Sequence, residues 1–192
     1  LVTMVRDINK WSSNVMARQL YLTIGAEHRL AEDRDDLAAA ERTIKDWMAL
    51  KGMDPRAVVL DNGAGLSRDA RMSPMEQIKM LQQAWRSPFA AELIASLPLV
   101  AMDVTMHNRL RDTGLRGEGH IKTGSLTNVR AVAGFTRDSN NTTWAVSAIV
   151  NTPSAWKSQA VLDDVLEAVH RLPGTQAAAV TRNEAGTSGA GG

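Results

Sequence analysis

Lys122-Thr123-Gly124-Ser125-Leu126 puts an ammonium and two hydroxyls on one β-prone run. Ser12-Ser13-Asn14 puts two hydroxyls and a carboxamide where two helical stripes meet. A serine hydroxyl can both accept and donate a proton, a carboxamide can donate and accept hydrogen bonds at once, and a lysine brings a fixed positive charge. Such groups suit proton relay and the holding of a polar substrate. A third stretch, Asp61-Asn62-Gly63-Ala64-Gly65-Leu66-Ser67-Arg68, is a glycine-rich turn whose glycines supply positive φ. It is not a dinucleotide loop, because Arg68 stands where the third glycine of G-x-G-x-x-G belongs. A fourth, Ser154-Ala155-Trp156-Lys157, carries the Ser-x-x-Lys spacing of an activated serine.

These residues need elements to hold them. Leu1, Met4, Val5 and Ile8 recur at helical spacing, and after Ser12-Ser13-Asn14 a second stripe runs through Met16, Leu20 and Ile24. Glu27 to Asp36 is charge-rich and reads as solvated. An amphipathic helix is predicted from Leu37 to Leu50, stopped by Gly52 and Pro55. Ala57 to Leu60 reads as a short buried strand. Ser73-Pro74-Met75-Glu76 sets Ser at N-cap, Pro at N1 and Glu at N3, a helix start expected to run on to Trp85. A short helix over Phe89 to Leu97 and an irregular stretch over 107–117 follow. Then come three β-prone runs, His120 to Leu126, Val129 to Thr136 and Thr143 to Val150, whose short connections predict antiparallel neighbours. A last helix from about Trp156 to Leu172 should turn Val161, Val165, Leu166 and Val169 to one side. The Ala, Gly, Thr and Ser-rich stretch 173–192 reads as a flexible tail. A helical cluster, an antiparallel sheet and a packing C-terminal helix make an α+β fold.

Composition narrows the function. An apolar fraction of 44% and a charged fraction of 22% are those of an ordinary folded chain. Twenty-two Lys and Arg against 21 Asp and Glu leave +1, no electrostatic footprint for nucleic acid. Five Trp, two Phe and one Tyr are too scattered for a base-stacking platform. Cysteine is absent, which removes thiol catalysis and disulfides. No apolar run approaches the roughly 20 residues of a transmembrane span. His28, His107, His120 and His170 lie on separate predicted elements without paired-ligand spacing, so they read as surface or capping histidines and no metal is expected.

The order of the motifs adds what none carries alone. Ser-x-Asn at residues 12–14 after Ile8-Asn9-Lys10, then the DNGAGLSR turn, then KTGSL followed by Ala131-Val132-Ala133-Gly134-Phe135, resembles the D-alanyl-D-alanine carboxypeptidase/endopeptidase family, the low-molecular-mass class C penicillin-binding proteins of peptidase family S13. The resemblance spans residues 1–172, taken as the C-terminal part of the peptidase domain. It implies a penicillin-binding/β-lactamase-like transpeptidase fold and an acyl-enzyme mechanism that needs no cofactor. It gives Ser12, Asn14 and Lys122 catalytic roles: a hydroxyl relay toward the leaving amine, an amide that meets the substrate backbone while its oxygen holds a lysine ammonium, and a fixed charge. Thr123 and Ser125 would bind the substrate carboxylate, and Gly124 would let the peptide lie along the strand. The implied partners are peptidoglycan stem peptides ending in D-Ala-D-Ala and β-lactam antibiotics, in the periplasm or cell envelope.

In that family the acylated serine lies in a Ser-x-x-Lys upstream of Ser-x-Asn. Here Ser154-x-x-Lys157 follows Lys-Thr-Gly and reads as capping of the final helix, on the side of the sheet away from Ser-x-Asn. The chain opens on Leu1 inside a helical pattern, as a piece of a longer protein would. On its own it is expected to be inactive and prone to self-association through an uncovered apolar face. Two other readings stay open: a non-catalytic envelope module that binds D-Ala-ending peptides, and a serine β-lactamase, for which no deacylating base is identified.

Overall fold

The computed structural model describes residues 1–172; the predicted tail, 173–192, lies outside the described residues. Six α-helices and five strands follow in the order α1 (Val2–Trp11), α2 (Asn14–Glu27), α3 (Asp36–Leu50), β1 (Val58–Val59), β2 (Arg71–Met72), α4 (Pro74–Arg86), α5 (Ala90–Ser96), β3 (Gly119–Leu126), β4 (Val129–Arg137), β5 (Thr143–Asn151) and α6 (Gln159–His170). Local chemistry sets several boundaries. The Asp35 side chain accepts from the Ala38 N–H to start α3, and Ser73 accepts from Glu76 N–H to start α4, with Pro74 at its first position. Helices α2 and α3 lie so close that a Cβ on Gly25 would fall 1.9 Å from the Asp36 carbonyl oxygen, so the crossing requires glycine.

The sheet order is β3-β4-β5, antiparallel throughout, with Lys122 opposite Ala133 and Ala133 opposite Ser147. Alternation along each strand divides two cores. Ile121, Val132 and Val146 face Leu162 and Leu166 of α6, joined by Val100, Met106 and Leu115. Phe135 faces the other way, against Leu81 and Leu97, and its ring meets that of Trp85 at a centroid distance of 5.6 Å. Lys122 neighbours Ile121 on the strand, so its side chain leaves the α6 face and enters the side occupied by α1, α4 and α5.

Three expectations need correction. The strand expected from Ala57 shrinks to Val58–Val59, because Asp54 accepts from the Arg56 N–H and opens a single 3₁₀ turn over Pro55–Ala57. The last helix begins at Gln159 after a separate 3₁₀ turn, Ala155–Lys157. Its inward residues are Leu162 and Leu166, flanked by Val165 and Val169, while Val161 stays 55% exposed at the solvent rim. Helix α1 buries none of its residues, and Leu1, Trp11 and Val15 are 83%, 72% and 73% exposed.

Leu166 is fully buried between α6 and the sheet, so Leu166→Ala is expected to cost about 2–5 kcal/mol in urea unfolding; a loss under about 1 kcal/mol would contradict this packing. The exposed Val2, Met4 and Trp11 of α1, with Leu1 just before them, predict concentration-dependent association of the isolated chain, and light scattering that returned a constant monomer mass would count against it.

Candidate active site

The site begins where one helix ends and the next starts. Ser12 closes α1 in the left-handed region, at φ 51° and ψ 44°, a conformation that costs a non-glycine residue about 1–2 kcal/mol. The next residue, Ser13, is the N-cap of α2 and accepts from the Met16 N–H. Holding Ser12 in that turn falls to α1's docking. The Asn9 carboxamide donates to Ser96 Oγ at 2.7 Å, and buried Ser96 in turn donates to the Leu93 carbonyl at 2.6 Å. The Lys10 ammonium donates to the Leu97 carbonyl at 2.7 Å and pairs with Asp103. The Lys10 hydrogen bond keeps the Asp103 carboxyl below the usual carboxylate range.

Against that turn stands Lys122. Its Nζ donates to Ser12 Oγ and, at 3.2 Å, to the Thr123 carbonyl. No carboxylate pairs with it among the described residues, and burial lowers its pKa from the ordinary lysine value. An ammonium kept half-dry without a counter-anion is a ready binder of one.

Asn14, the first residue of α2, is tied to the glycine-rich turn. One of its amide N–H groups donates to the Ala64 carbonyl at 2.6 Å, and no hydrogen bond joins it to Lys122. The glycine-rich turn is therefore its support. Asn62 Oδ1 accepts from the Ala64 N–H at 2.8 Å, and Arg18 donates to the Asn62 carbonyl at 3.2 Å. Gly63, at φ +70°, lies against Tyr21, where a Cβ would come within 2.4 Å of the Tyr21 side chain. Burial pushes the Tyr21 hydroxyl up to about 12. Sequence reasoning missed Tyr21, Ala64 and the Asn9–Lys10 anchors; the one signal in view was Ile8-Asn9-Lys10, read as a flank.

Thr123, Gly124 and Ser125 lie on the outer strand. The Ile121 N–H donates to the Pro98 carbonyl and the Gly119 carbonyl accepts from the Val100 N–H, so odd-numbered residues of β3 aim their backbone polar groups away from β4. Residues 98–100 cover that edge only as far as Ile121. Beyond it, the N–H groups of Thr123 and Ser125 face outward and meet no main-chain partner among the described residues. Where this edge ends, a cleft of about 770 Å³ continues between Leu126, Thr127 and Ile149 on one side and Gly63, Gly65 and Arg68 on the other.

The remaining candidates fall apart from this group. Ser154 is exposed and precedes a 3₁₀ turn without a side-chain capping bond, so its reading as an ordinary cap is corrected; the Lys157 ammonium lies 5.0 Å from the Trp156 ring centroid. His120 is no surface histidine: its Nδ1 is buried without a hydrogen-bond partner. Among the described residues no cluster of three or more His, Asp or Glu could hold a metal ion, and no helix is long and apolar enough to cross a membrane.

Solved structures show the class of fold. Penicillin binding protein 4 from Haemophilus influenzae superposes on 88% of this chain and 40% of its own, with TM-score 0.72 at 20% identity. A penicillin G-acylated form of the predatory endopeptidase Bd3459 from Bdellovibrio bacteriovorus, complexed with an immunity protein, matches 78% of this chain and 45% of its own, with TM-score 0.55 at 17% identity. In sequence, a D-alanyl-D-alanine carboxypeptidase of Actinomadura sp. (strain R39) is 31% identical over 131 residues, 66% of this chain. The chain spans about a quarter of that relative's length. The sequence model of the D-Ala-D-Ala carboxypeptidase 3 (S13) family matches residues 1–172, and the chain belongs to that family.

Because the Lys122 ammonium is partly desolvated and meets no carboxylate among the described residues, Lys122→Met is expected to raise stability by about 1 kcal/mol at neutral pH. The folded-state pKa lies below the 10.5 of a solvated lysine. Between the two values the unfolded chain binds more protons, so the parent's stability climbs with pH there and the variant's advantage shrinks. Urea titrations of both proteins at pH 7 and pH 10.5 check this; a variant less stable at pH 7 would contradict it.

Proposed function

We propose that residues 1–172 are the peptide-binding and proton-relay part of a serine D-Ala-D-Ala carboxypeptidase/endopeptidase of the cell envelope. The observation that carries this reading is the Lys122–Ser12 hydrogen bond beside the uncovered edge of β3. A stem peptide ending in D-Ala-D-Ala would add itself antiparallel or parallel to that edge, exchanging backbone bonds with Thr123 and Ser125. Its terminal carboxylate would meet the Lys122 charge and the Thr123 and Ser125 hydroxyls. The rest of the peptide would run on into the cleft past Leu126.

The reaction is acyl transfer. A serine Oγ attacks the penultimate D-Ala carbonyl and gives up its proton to the relay, the tetrahedral oxyanion takes the Ser125 N–H, and the C–N bond breaks as the relay passes one proton on to the leaving D-alanine amine, so that Ser12 and Lys122 end as they began. Ser12 is suited to deliver that proton because its oxygen accepts from Lys122 while its own hydrogen stays free to be donated. Lys122, with its pKa drawn down by burial, can replace that proton without leaving its place. Asn14, fixed by Ala64, keeps a second N–H and its oxygen for the substrate backbone. Water then releases the acyl group by the reverse route.

We place the acylated serine outside residues 1–192. Ser154 lacks what activation requires, since its lysine neighbour is turned onto Trp156. Penicillin G acylates Bd3459, and a β-lactam, which mimics the D-Ala-D-Ala terminus, would acylate the complete protein here in the same manner. Peptidoglycan as substrate sets the compartment, the periplasm or outer envelope.

In the complete protein, Ser12→Ala and Lys122→Ala are each expected to lower kcat/KM on a D-Ala-D-Ala peptide by about 10²–10⁴-fold. Rates within threefold of the parent would refute the assignment. The 192-residue chain alone is expected to bind the peptide without cleaving it and to take no β-lactam label. Label mapped to Ser154 would overturn the placement of the nucleophile. Peptide binding by a complete protein that never cleaves would favour a non-catalytic module instead.

A further inference from the structure

His120 lies two residues before Lys122, on the same face of β3. Its backbone is bridged to Leu99, within the cradle of residues 96–103 onto which α1 is docked through Asn9 and Lys10. The ring's Nδ1 is buried and unpartnered, beside a cavity of about 250 Å³ walled by Trp85, Ile94 and Phe135. A buried nitrogen with no hydrogen-bond partner is costly to keep, and costlier once the ring is charged.

We propose that His120 is a positioning residue of the site: its neutral ring seats the cradle that holds α1, and its protonation loosens that docking and draws Ser12 away from Lys122. The charged groups around it favour the neutral ring. Lys10 from α1 repels a second cation, and Lys122 follows two residues on along the same face of the strand. Asp103 would attract one, but it is already committed to Lys10 and to the Leu99 N–H at 3.3 Å. Glu118 and Arg137, which line the same cavity, face each other at 3.7 Å and so largely offset one another. Burial, and after it the Lys10 charge, hold the imidazole below its ordinary 6.5, although the main chain of Leu97 and Ile94 beside the ring and the Asp103 charge pull the other way. The unfolded chain then binds more protons than the docked one as pH falls below 6.5. The docked arrangement therefore loses stability across that window and is at its best above it.

As a role in catalysis this rests on the peptidase reading of the Ser12–Lys122 pair; the coupling from ring to helix does not. The test is an NMR titration of the 192-residue chain from pH 4 to 8. It follows the His120 ring protons and the amide signals of Ser12, Ser13 and Asn14, with the His120→Gln variant alongside. The expected result is a ring midpoint below 6.5, the same midpoint in the three amides, and its loss in the variant. Amides that stay flat across the ring's midpoint, or that keep their transition in the variant, overturn the proposal. The parent titration alone decides should the variant not fold, because a merely structural histidine would not share its midpoint with residues 12–14.

A second arm measures binding of a D-Ala-D-Ala peptide over the same range. Its Kd is expected to rise about tenfold for each pH unit below the midpoint, and to lose that slope in the variant. Coupled titration with no peptide binding at any pH overturns the peptidase reading while the coupling stands. Peptide binding without the shared midpoint overturns the role of His120 alone.

Discussion

One hydrogen bond closes the site across 110 residues of chain, from the ammonium of Lys122 to the hydroxyl of Ser12. Both partners are held at some cost: Ser12 in a left-handed backbone and Lys122 in a half-dry place with no counter-anion among the described residues. Neither would persist without what surrounds it. The α6 face of the sheet fixes Ile121, and through it the direction of Lys122. On the other side, Asn9 and Lys10 fasten α1 to the segment between Ser96 and Asp103. The packing on both sides of the sheet therefore fixes these two polar atoms relative to each other.

Most of the architecture was legible in the order of helical stripes and β-prone runs. The Ser73-Pro74-x-Glu76 start, the three strands and the break at Ser12–Asn14 fall where residue chemistry places them. Boundaries slipped where a side chain intervened locally, as at Asp54, whose capping bond turned the beginning of a strand into a 3₁₀ turn. On α6, Val165, Leu166 and Val169 turn inward as their spacing predicts and Leu162 takes the place expected of Val161, because apolar spacing names a stripe but not which of its edges meets the sheet.

The candidate site was legible as residue types and not as partnerships. Nothing in the local sequence tells that one Asn14 amide N–H is taken up by the Ala64 carbonyl, since the two are 50 residues apart and the acceptor belongs to the main chain. His120 resembled any strand histidine until residues 98–100 folded over its edge. Family membership and fold now rest on the S13 match over residues 1–172 and on the penicillin-binding relatives.

The support of Asn14 has an evolutionary consequence. An acceptor supplied by a peptide carbonyl has no codon of its own, so no single amino-acid replacement at Ala64 can delete it. Selection on this contact is displaced to the neighbours that shape the loop, Gly63 against the aromatic body of Tyr21 and Asn62 beneath Arg18. Drift should be tolerated at position 64 and punished at 63, and a lineage that exchanged Tyr21 for a smaller ringless residue would be the first free to abandon the glycine.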